Sequence, residues 1–123
     1  MFSPAPTIAP HAGDAKLKLL ATTSARRSSL FPDVPALAEQ AGLEGFDTSL
    51  WFGLWAPKGT PKEIVKAINE VLVKATATPT VKSQLAANGA DPVTGTPEEF
   101  GAFVREEVKK WAKVVAFSGA KID

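Results

Sequence analysis

The chain has 123 residues, the size of one domain or part of one; 45% are hydrophobic and 22% charged, an ordinary globular balance. Its 14 Lys and Arg against 13 Asp and Glu leave a formal net charge of +1, which argues against a dedicated nucleic-acid binder with a basic face. Cysteine is absent, which excludes disulfides, thiol catalysis and Cys-ligated zinc, and no apolar run reaches the ~18 residues of a membrane-spanning helix.

Residues 1–15 carry Pro4, Pro6 and Pro10 among small side chains. Each proline removes an amide donor and biases its predecessor toward extended backbone, so a loop is expected, with one short helical turn near Thr7 to His11. Lys16 to Thr22, KLKLLAT, reads as a short strand whose first half alternates Lys and Leu. SARRSSLFPDVP is polar, then proline-punctuated, and reads as an exposed loop. Asp33 is placed to cap a short helix from Val34 or Pro35 to Ala41, with Gly42 as its left-handed stop.

Phe46 to Ala56 is mostly apolar and aromatic and holds Trp51 and Trp55. It reads as a long strand buried on both faces. Thr60-Pro61-Lys62-Glu63 has the form of a capping box with proline at the first helical position, and Ile64, Ile68, Val71, Leu72 and Ala75 then follow at helical spacing. Thr78-Pro79 opens a shorter helix that Asn88-Gly89 closes. Thr96-Pro97-Glu98-Glu99 repeats the box. The last helix aligns Phe100, Phe103, Val104, Val108, Trp111 and Val115, and Gly119 should stop it. Its acids come early and its bases late, as the helix dipole favours.

The apolar accounting is uneven: one or two strands make no stable sheet. The aromatic strand therefore recruits a second copy of the chain, or belongs to a longer protein. His11 is the only histidine, lies among prolines and has no second ligand at useful spacing. No GxGxxG, Walker-type loop, GxSxG or HExxH occurs. Without a nucleophile–base pair a small hydrolase is set aside, and no metal or cofactor is expected. Arg26-Arg27 could clamp a carboxylate or phosphate, or simply form a solvated basic patch in a polar loop. Glu98-Glu99 and Glu106-Glu107 fit capping and ion pairing along a helix better than paired catalytic acids. Trp51 and Phe52 point to opposite faces of a strand, so one of them could wall a ligand cleft while the other packs.

The segments KLKLLATTSARRSSLFPDVPALAEQAGLEGFDTSLWFGLWAPKGTPKEIVKAINEVLVKA and GADPVTGTPEEFGAFVREEVKKWAKVV, in this order, resemble the C-terminal part of Bug-type extracytoplasmic solute receptors. These are the substrate-binding proteins of tripartite tricarboxylate transporters. The matching features are a strand ending in Thr-Ser before a basic loop, the Pro-Asp-Val-Pro helix start, the Trp-Phe-Gly-Leu strand, the Ala-Pro-x-Gly-Thr-Pro turn and the closing Thr-Pro-Glu-Glu-Phe helix.

The resemblance implies an α/β chain forming part of a two-lobed, Venus-flytrap fold of the periplasmic-binding-protein type II class, with few strands and about four helices. It implies that residues 1–45 end the second lobe, residues 46–57 form the hinge-crossing strand, and residues 58–123 return as helices to the first lobe. It implies a non-enzymatic receptor for small carboxylates, working with a membrane permease in the periplasm. The chain as written shows no secretory signal, and taken literally would be cytoplasmic. At its start, Ser3 stands where the family commonly has an acid and Thr7 where it has a serine. The family's loop there faces the interlobe cleft, so Ser3 and Thr7 join Trp51 and Phe52 as expected ligand-binding residues. A self-associating structural module without ligand binding is the alternative, with the unpartnered aromatic strand as its contact.

Overall fold

The computed structural model describes residues 1–121. Five α-helices and one 3-10 turn appear in it: α1 (Ala5–Ile8), the 3-10 turn (Ala9–His11), α2 (Leu37–Ala41), α3 (Lys62–Ala77), α4 (Pro79–Ala87) and α5 (Pro97–Ser118). The residues group into two units. One comprises Met1–Trp55 with Ala75–Val93; the other comprises Ala56–Lys74 and the chain from Thr94 onward.

The expected strands do not form. A ladder needs consecutive inter-strand bonds, and among the described residues only one isolated bridge occurs, the parallel pairing of Thr22 with Ala36. Thr22 N–H donates to Pro35 O at 2.9 Å and Leu37 N–H to Thr22 O at 2.8 Å. The Lys16 to Thr22 stretch begins instead as a turn, with Leu17 N–H on Asp14 O and Lys16 N–H on the Asp14 carboxylate, both at 2.9 Å. Phe46 to Ala56 makes no ladder either. Thr48 N–H donates to Thr23 O at 2.9 Å, and beyond that point the segment lies largely open. The described chain is thus helical rather than α/β.

Helix ends follow local chemistry. α5 carries a complete capping box: Glu99 N–H donates to Thr96 Oγ1 at 3.1 Å, while Thr96 N–H donates to Glu99 Oε2 at 2.8 Å. Thr78 caps α4 by accepting from Val81 N–H. α3 begins at Lys62, just after Pro61, and the Thr60 hydroxyl donates back to Pro57 O. α2 starts later than expected. Its N-cap is Ala36, with no side-chain cap, because Asp33 lies within an earlier turn closed by Val34 N–H on Phe31 O. Gly42, Gly89 and Gly119 take the left-handed conformation just past α2, α4 and α5, as the sequence led one to expect.

Burial is sparse. Among the described residues Ala36 is the one buried hydrophobic residue. The apolar stripes of α3 and α5 are formed as read, yet Ile64, Ile68, Val71, Phe103, Val108, Trp111 and Val115 are all exposed. Trp111, expected in a core, is 42% exposed; its indole N–H donates to Glu107 Oε2 at 3.1 Å. Glu107 is nearly buried and also pairs with Lys110, while Lys109 pairs with Glu106 at 2.7 Å.

Candidate functional site

In the first unit, hydrogen-bond donors concentrate in the loop that follows Thr22. The backbone N–H groups of Thr23 through Ser29 find no acceptor among the described residues. Because an unmet N–H is costly only when dry, such a run belongs either in water or against an anionic ligand. The two arginines of this loop are used differently. Arg27 is committed: its Nη2 and Nε donate to Glu39 Oε2 at 2.9 and 3.0 Å, and its Nη1 to Pro32 O at 3.4 Å. The Arg27 hydrogen bond holds the Glu39 carboxyl below its ordinary range, and Glu39 in turn raises Arg27 further. The Arg26 guanidinium has no partner among the described residues. Arg26 therefore offers a planar fork of donors beside a row of open amides.

Side chains fix the loop from within and from afar. Ser24 Oγ donates to Arg26 O at 2.6 Å and lies 3.3 Å from Thr22 Oγ1. The Thr23 hydroxyl donates to Thr48 O, which ties the loop to the start of the aromatic segment. Ser28 Oγ donates to Asp91 Oδ2 at 3.1 Å, and Ser29 Oγ to Asp91 Oδ1. Asp91 follows the left-handed turn at Gly89, where the chain presses against α1. A Cβ built on Gly89 would lie 2.7 Å from Ala5 C and Pro6 N. The turn over residues 88–91 thereby holds α1 on one side and the donor loop on the other. Below it, an open apolar cleft of about 500 Å³ is lined by Ala9, Pro10, Ala12, Leu30, Phe31, Ala86 and Ala87.

The four residues expected to bind ligand all fall in this unit. Ser3, half-buried, precedes α1, and Thr7 is an exposed residue within it. Trp51 is half-buried three positions beyond Thr48, whereas Phe52 is 78% exposed. Gly89 packs against the Ala5 backbone next to the first pair, and the Thr23–Thr48 bonds tie the segment of the second pair to the loop. Sequence reading missed Thr23, Thr48 and Asp91. The hydroxyl run Thr22-Thr23-Ser24 was a visible signal for the first; the other two are joined to the loop across long chain separations. The second unit holds a smaller open cleft of about 370 Å³, lined in part by Asn69, Lys74, Gly95 and Glu99, in which Asn69 Nδ2 donates to Gly95 O at 3.0 Å. Among the described residues no group of three His, Cys, Asp or Glu is arranged to hold a metal ion.

A family model described as the tripartite tricarboxylate transporter family receptor matches residues 1–119. The chain belongs to that receptor family. Protein BugT of Bordetella pertussis is 38% identical to this receptor-family chain over 117 residues, which are 95% of the chain and 36% of BugT. A UPF0065 protein encoded in the tcbD-tcbE intergenic region of Pseudomonas sp. is 37% identical over 100 residues, 81% of the chain and 30% of that protein. The chain thus spans about a third of the length of these curated relatives. Among solved structures, R. palustris Rpa4515 with adipate is similar with a TM-score of 0.75 at 32% identity, over 94% of this chain and 38% of that one. A second, described as a periplasmic transporter, has a TM-score of 0.77 at 33% identity, over 97% and 39%. The receptor chain therefore has part of a binding-protein fold. Its family is one of solute receptors rather than enzymes.

Proposed function

We propose that this chain supplies the later part of a periplasmic receptor that takes up small carboxylates for a tripartite tricarboxylate transporter and passes them to its membrane permease. The observation that carries the reading is the run of amides from Thr23 to Ser29 and the neighbouring Arg26 guanidinium, all without a partner among the described residues, in a chain matched to the receptor family over residues 1–119. A carboxylate needs several N–H donors and a planar cation, and this loop has both. Ser3 and Thr7 supply hydroxyls from the α1 side, and Trp51 and Phe52 supply aromatic walls. In this reading residues 1–45 end one lobe, 46–57 cross the hinge and 58–123 return to the other. Adipate, held by the R. palustris relative, is a reasonable first probe.

Amide chemical shifts of the full chain, titrated with sodium adipate and sodium citrate at fixed ionic strength, test this. The expected result is a saturable shift centred on residues 23–29. Shifts no larger than those given by the neutral diamide of adipic acid would refute it.

A second reading is favoured by the open aromatic segment. Leu50, Phe52, Leu54 and Trp55 are all exposed, an apolar run of the kind that marks an interaction surface. In this reading the segment joins two copies of the chain. Sedimentation at rising concentration should show a dimer that the Phe52→Ser/Leu54→Ser variant loses; a monomer throughout would eliminate it.

A further inference from the structure

We infer that Asp91 is a positioning residue for the donor loop, an inference that rests on the carboxylate-receptor reading above. Its two carboxylate oxygens are divided between adjacent hydroxyls: Ser28 Oγ donates to Oδ2 at 3.1 Å and Ser29 Oγ to Oδ1. The grip is relayed into the backbone, because Leu30 N–H donates to Ser28 Oγ at 3.2 Å. Asp91 is itself anchored two residues earlier. Gly89 is buried in a left-handed turn with φ of 70° against the Ala5 backbone, and Ala90 N–H donates to Leu85 O at 2.9 Å, fixing the turn to the end of α4.

A loop with few bonds of its own would otherwise sample many conformations and bind an anion only in a fraction of them. Asp91 removes that freedom at the loop's C-terminal end, while Thr23–Thr48 holds its start. The carboxylate has a second effect. It occupies the Ser28 and Ser29 hydroxyls, so that the donors left for a solute are the main-chain amides and Arg26. These donors suit a carboxylate, which only accepts, better than an ammonium group, which only donates.

The test compares Asp91→Ala, Asp91→Asn and Ser28→Ala/Ser29→Ala, alone and combined, in the full chain. In the absence of solute, Asp91→Ala should shift the amides of residues 28–30 and raise their nanosecond mobility, and Asp91→Asn, which keeps one acceptor oxygen, should restore part of the change. Adding Asp91→Ala to the doubly substituted serine variant should do little more. Affinity for adipate should fall about tenfold in Asp91→Ala, the fall expected if the freed loop is binding-competent about a tenth of the time, with the Leu85–Ala90 amide exchange unchanged. Unmoved loop amides in solute-free Asp91→Ala, or effects that add fully to those of the serine substitutions, would overturn the positioning role. Failure of the wild-type loop to respond to adipate or citrate would instead overturn the receptor reading, and the solute-free comparison separates the two.

Discussion

Replacing Gly89 with alanine attacks the turn on which α1, the end of α4 and Asp91 converge. Two costs add. The residue sits at φ of 70°, where a Cβ-bearing residue is strained by about 1–2 kcal/mol. The new Cβ would also lie 2.7 Å from Ala5 C and Pro6 N and 2.8 Å from Ala5 O. These are backbone atoms that no rotamer change can move aside, and relieving such overpacking costs about 1–3 kcal/mol more. Gly89→Ala should therefore destabilise the first unit by about 2–5 kcal/mol. Gly42→Ala is the internal control. Its φ is 63°, but a Cβ added there would meet nothing within 4 Å, so it should carry the conformational cost alone. Urea unfolding followed through exchange of the Ala90 amide and through circular dichroism gives both values. Equal losses in the two variants would refute the close-contact argument and leave only the left-handed turn.

Thr96→Ala removes the α5 N-cap, and about 1 kcal/mol of helix stability should go with it; amide exchange in the first turn of α5 reads the change. Acid should act on the same turn. The Thr96 N–H and hydroxyl hold the Glu99 carboxyl below its ordinary range, so its folded-state pKa lies under the unfolded one. The stabilisation is complete above the unfolded value, near about 4.3, and fades as pH falls through the folded value. Glu39, held down by Arg27, and Glu106, held down by Lys109, act with the same sign. Denaturation midpoints at pH 6 and pH 3 should therefore differ in the wild type and differ less in Glu99→Gln; an equal difference in both would remove Glu99 from the account.

What could be read from sequence was what neighbouring residues decide. Thr78, Thr96 and Glu99, with glycines at 42, 89 and 119, set helix boundaries through bonds spanning a few positions, and these appear as expected. Asp33 failed as a cap because a preceding turn ending at Val34 claimed that stretch first. The strands failed for a different reason. A strand is a property of a pair, and no residue in 46–56 states where its partner lies. The same holds for the site. Ser3, Thr7, Trp51 and Phe52 came from composition and resemblance, whereas the Asp91 bonds cross 62 and 63 residues of chain. Nothing in the local pattern around Gly-Ala-Asp-Pro announces that its carboxylate belongs to a serine pair so far upstream.

The apolar stripes left wet on α3 and α5 carry a calorimetric consequence. Unfolding raises heat capacity chiefly by hydrating hydrocarbon, by ~12–15 cal/mol/K per residue in an ordinary domain. Here Ile68, Val71, Val108 and Val115 meet water before any melting begins, so the chain's melt should be shallow and its stability curve unusually flat with temperature.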